Sequence, residues 1–214
     1  MKKAILATLV LVALAFAAPA QAGPIYDGAN AIVQRNQTTY QIDVKAAPGS
    51  SFDPFVTFCI QTNEYLESVP FYTYKVAIST YAEIEPDSPD NKDPLDPRSA
   101  KIYANYAGTY GGHFGTTPAD LVLKAHAVQE AIWYIENEVP LNYLGADALW
   151  LVNTWVGNPT DIGSVRVLNL TWMNAQGQKV YAQDVLASVP EPGSMLLLGT
   201  GLVGLAKLAR RRRS

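Results

Sequence analysis

The sequence predicts a mixed α+β fold: a strand-rich N-terminal part, a helical middle and a C-terminal β-hairpin. Three observations carry that expectation. Tyr40, Ile42 and Val44 alternate with Gln41, Asp43 and Lys45, the period of a half-exposed strand. After Thr117 the period becomes helical, with Leu121, Ala125, Val128, Ile132 and Ile135 at steps of four and three. Beyond residue 165 two β-rich runs, 165–172 (VRVLNLTW) and 179–186, flank a turn at Asn174-Ala175-Gln176-Gly177-Gln178.

Taken in order, residues 31–46 read as one or two strands, closed by a turn at Pro48-Gly49-Ser50-Ser51. Residues 55–60 read as the next strand and 70–80 as another, both rich in aromatic and β-branched residues. Residues 83–98 read as a long acidic, proline-rich loop. Its carboxylates are dense enough for calcium, but it has neither EF-hand spacing nor the glycine that such a loop needs, so it reads as solvated. A short helix over 99–107 is followed by the glycine-rich stretch 108–115. The clearest helix covers 118–138. Thr117 is its N-cap, Pro118 suits the first turn, Asp120 completes a capping box, and Pro140 ends it. A second helix is expected over 146–154, with Leu149, Trp150 and Val152.

The two ends read as targeting segments. Residues 1–22 have a basic start (Lys2, Lys3), an apolar stretch and Ala20-Gln21-Ala22, the pattern of a signal peptide, so the mature chain is expected to begin at Gly23. Residues 23–188 then form one domain of ordinary size. Within it Lys and Arg number 9 and Asp and Glu 18, a net charge of −9 that argues against a nucleic-acid partner. Residues 189–214 carry Pro190-Glu191-Pro192, a short apolar stretch from Met195 and four arginines, 210–213. That stretch is marginal for a membrane span, and the arginines suit a cytoplasmic end, so a short transmembrane helix is expected here. This segment resembles the PEP-CTERM sorting domain. The resemblance implies export by a Gram-negative cell, processing by an exosortase-type protease, a transient or retained inner-membrane anchor, and a final place on the cell surface or in the extracellular matrix.

The chain has one cysteine, Cys59, inside FVTFCIQTNEY (55–65). Four readings compete: a passive buried thiol, a bond to another chain, a catalytic thiolate, or an internal thioester with a glutamine. A catalytic reading needs a base, and His113 and His126 are the only histidines. His126 stands three residues before Gln129 on the strong helix, on a neighbouring surface.

Phe58-Cys59-Ile60 together with Val128-Gln129-Glu130-Ala131-Ile132-Trp133 resembles the paired motifs of bacterial surface thioester domains. The resemblance implies a thioester-domain-like fold, with the Cys59 sulfur joined to the Gln129 side-chain carbonyl and ammonia lost. An amine on a surface or matrix molecule would attack that carbonyl, Cys59 would leave as a thiolate, and an amide crosslink would remain. Phe58, Trp133 and Tyr134 are candidates to enclose the bond against water, and His126 to assist proton transfer. Such chemistry acts once per molecule, so adhesion rather than enzymatic turnover is expected, with no cofactor and no metal. Two further functions stay open on the sequence: a noncovalent structural or matrix protein with a passive cysteine, and a cysteine-dependent enzyme.

Overall fold

The computed structural model describes residues 25, 27, 29–31, 55–62, 74–83 and 92–189. The signal peptide, the strand readings over 32–46, the turn at 48–51 and the sorting segment from Pro190 onward lie outside the described residues.

The architecture is the expected mixed α+β. Strands come first: β1 (Asn30–Ala31), β2 (Tyr74–Ser79), β3 (Tyr81–Glu83) and β4 (Lys92–Pro94). The helical middle holds α1 (Pro97–Ala104), α2 (Pro118–Ile135), a 3-10 turn at Leu141–Tyr143, α3 (Ala146–Trp150) and a π-helical turn at Leu151–Trp155. The hairpin of β5 (Val165–Met173) and β6 (Lys179–Ser188) closes the chain. The main sheet is antiparallel in the order β1-β2-β5-β6, and β3 and β4 form a separate two-stranded ladder.

The hairpin is the backbone of the fold because both of its faces are buried. Val165, Val167 and Leu186 point into a core shared with the helices, including Ile102, Val128, Ile132 and Leu151. Leu168, Leu170, Val185 and Ala187 point the other way, toward Tyr74, Val76, Cys59 and Trp133. That division follows from strand alternation, with a register shift between Leu168 and Leu170. Gly177 turns the hairpin at φ +74, and Asn174 Oδ1 accepts from the N–H groups of Gln176 and Gln178.

The start of α2 is as expected: Thr117 and Asp120 form a reciprocal capping box. Its end differs. The helix stops at Ile135, and Asn137 takes a left-handed conformation at φ +62. Glu138 N–H then donates to Trp133 O at 2.8 Å and Asn137 N–H to Tyr134 O at 3.1 Å. That pair of bonds is a Schellman motif, so Asn137 rather than Pro140 terminates the helix.

Three further expectations are corrected. The acidic loop is not irregular throughout, because its ends pair as β3 and β4, and α1 begins within it at Pro97, capped by the Asp96 side chain. The 146–154 helix is two pieces, α-helical to Trp150 and π-helical from Leu151. The transmembrane expectation is not upheld. Among the described residues no helix is long and apolar enough to cross a membrane, and the apolar stretch after Met195 lies outside them.

Candidate functional site

Residues 55–62 run beside β6 without forming a full strand. Leu186 N–H donates to Phe58 O at 3.1 Å and Ile60 N–H donates to Asp184 O at 3.0 Å, with Cys59 opposite Val185. This register spends the main-chain groups of residues 58 and 60 on β6 and leaves those of Cys59 facing the opposite edge. There the helix takes over. Cys59 N–H donates to Gln129 Oε1 at 2.9 Å, and Gln129 Nε2 donates to Cys59 O at 2.7 Å. The carboxamide stands in for the peptide group of a further strand. Glutamine can do so because its side chain carries a donor and an acceptor in amide geometry. Further along, the N–H and hydroxyl of Thr62 both donate to Glu138 Oε2 at 2.9 Å. The buried edge of this segment is thereby paired rather than left open.

That geometry overturns the thioester expectation. No thioester contact joins Cys59 and Gln129. Both polar atoms of the Gln129 side chain are committed to the Cys59 main chain, and Gln129 is fully buried. Condensation would expel Nε2 as ammonia and strip the buried Cys59 carbonyl of its donor, an orphaned group that costs about 1–3 kcal/mol. The Cys59 side chain instead packs in the apolar cluster with Tyr74, Val76, Trp133, Leu168, Leu170 and Val185.

The other predicted residues are scattered. Phe58 lies on the opposite side of the segment from Cys59, in the helical core, edge-on to Tyr106 at 4.8 Å and to Tyr103 at 6.3 Å. Trp133 does share the Cys59 cluster, whereas Tyr134 is half-buried against the helical core. His126 is exposed on α2 while Cys59 and Gln129 are buried, and among the described residues no catalytic cluster forms around Cys59. His113, the other histidine, stacks on Trp150 at 3.8 Å and meets Asp147 Oδ1 at 2.9 Å. Pro190, Glu191 and Pro192 lie outside the described residues. Among the described residues no group of three or more His, Cys, Asp or Glu side chains is placed to hold a metal ion.

Sequence reasoning missed a set of buried polar groups. Asp184 Oδ2 accepts from Glu83 N–H at 2.7 Å, tying β6 to β3. The Asn169 carboxamide, assigned the orientation that satisfies both of its ends, places its nitrogen 3.1 Å from both Tyr81 O and Asp184 Oδ2 and its oxygen 3.2 Å from Ser79 Oγ. Glu136, at the C-cap of α2, is 6 % exposed, and its Oε1 accepts from Asp96 N–H at 3.3 Å. Burial pushes its carboxyl up to about 7; the hydrogen bond from Asp96 N–H opposes that, and the nearby Asp93 and Asp96 charges reinforce it. Beside this junction an open cleft of about 490 Å³ is lined by residues including Arg98, Tyr134, Asn137, Glu138 and Pro140. One signal was present in the sequence: carboxylates crowd a helix C-terminus, where the dipole disfavours negative charge.

Residues 188–213 match the PEP-CTERM protein-sorting motif. The motif marks the chain for extracytoplasmic, surface-directed sorting. No curated protein and no solved structure matches the chain.

Proposed function

We propose that this chain is an exported surface or matrix protein whose domain acts noncovalently, with Cys59 as a passive buried residue. The supporting observation is the paired hydrogen bond of the Gln129 carboxamide to the Cys59 main chain. It gives both halves of the sequence motif a structural reason to exist. The cysteine is a small apolar filler on a segment whose edge must be closed, and the glutamine closes it. The sorting motif supports surface-directed sorting of the domain; an exosortase-type membrane protease processes the tail on the way. The domain works by binding or by structural association, without turnover.

Intact mass of the purified full chain, before and after incubation with methylamine, tests this reading. The expected mass carries no deficit, and methylamine adds nothing. A deficit of about 17 Da, the ammonia lost on thioester formation, or methylamine incorporated at Gln129, would overturn it.

A further inference from the structure

Four carboxylates meet where α2 ends and α1 begins. Asp93 comes from β4, Asp96 caps α1, and Glu136 and Glu138 flank the left-handed Asn137. The cation among them is Arg98, whose Nε and Nη2 are held by Asp96 at 3.1 and 2.6 Å. Arg98 also feels the charge of Glu136 when that carboxyl is ionised. Asp93 is itself raised, by burial and then by Glu138. Glu138 is spent on Thr62. Glu136 is the innermost of the four and sits at the negative end of its own helix. Its Oε1 reaches across to the first turn of α1 through Asp96 N–H, and Ser99 lies beside it.

We propose that Glu136 makes the α1–α2 junction a proton-dependent latch: its neutral carboxyl adds no buried charge, whereas ionisation, although it strengthens acceptance from Asp96 N–H, sets a buried negative charge beside Asp93 and Asp96 and loosens the junction. Burial, the helix end and the neighbouring Asp93 and Asp96 all oppose the charged form, while Arg98 is already engaged by Asp96. The ordinary value of this carboxyl is 4.5, and here it stands at about 7. Unfolding therefore releases a proton between those two values, and stability falls as pH rises through that window, then levels off. The direction is opposite to that of Asp96, whose lowered carboxyl stabilises above its ordinary range and is lost only in acid. The element that responds is the α1–α2 junction and the cleft beside it, which Arg98 and Glu138 line.

Thermal unfolding of the full chain, followed from about pH 5 to about pH 8, is the test. The wild-type midpoint should fall across that range, by roughly 5 °C for a chain of this size. Glu136→Gln keeps an acceptor for Asp96 N–H and removes the ionisation, so its midpoint should fall less than that of wild type over the same range. Parallel wild-type and Glu136→Gln profiles would overturn the latch. Should Glu136→Gln not fold, the carboxyl carbon resonance of Glu136 in the wild-type chain, followed by NMR against pH, decides: a midpoint above the ordinary carboxylate range is expected, and one within that range would overturn the proposal.

Discussion

Gln129 is the residue on which the domain turns, and its importance lies in the main chain that it serves. Replacing it with Ala removes two hydrogen bonds and leaves the N–H and C=O of Cys59 buried and unmatched. The expected loss is about 2–4 kcal/mol of unfolding free energy by denaturant titration. Cys59→Ala leaves both main-chain bonds in place and removes one sulfur from an apolar cluster, so it should cost only about 1–2 kcal/mol. A thioester would reverse the expectation that these two variants differ, since either would abolish the same bond. Comparing them separates a main-chain role from a sulfur role without any labelling chemistry.

At the scale of the element, α2 is defined at both ends by local chemistry and in between by tertiary demand. Its N-terminus is sealed by Thr117 and Asp120, and Gly115 is small for a reason: a Cβ there would lie 2.1 Å from Asp120 Oδ2. Its C-terminus depends on Asn137 in the left-handed region, a conformation that Asn and Gly accept more readily than other residues. Asn137→Ala should therefore lower stability by about 1 kcal/mol, whereas Asn137→Gly should be neutral or better, as read by thermal midpoint. The buried surface of the helix is wide. It includes Lys124, whose Nζ donates to Tyr106 O and Gly108 O and so ties α2 to the chain after α1. Leu121, assigned to the apolar face from its spacing, is instead 43 % exposed, because the face that packs is centred on Ala125, Val128 and Ile132.

Across the whole molecule, sorting and folding are separate programmes joined at β6. The matched sorting motif begins at Ser188, the last residue of that strand. Replacing Pro190, Glu191 and Pro192 together with alanine should leave the described fold intact and abolish C-terminal processing. The mass of the exported chain measures this directly, and a processed mass in the triple variant would refute it. Near-normal circular dichroism of the same variant checks that folding is unaffected.

Local signals were legible where neighbouring residues alone determine the outcome. The Thr117–Asp120 cap, the hairpin read over 165–172 and 179–186, a strand within 70–80 and the sorting motif each rest on chemistry within a few residues, and the sequence by itself determined them. It also singled out Cys59 and Gln129, which do meet across 70 positions. What passes between them was decided by tertiary structure. The register of residues 55–62 against β6 sends the Cys59 main chain toward α2 and its side chain into the apolar cluster. A shift of one residue would exchange the two faces. The same holds for Glu136: the sequence contains the carboxylate, but only the packing of α1 and β4 around it removes the water that would keep it charged.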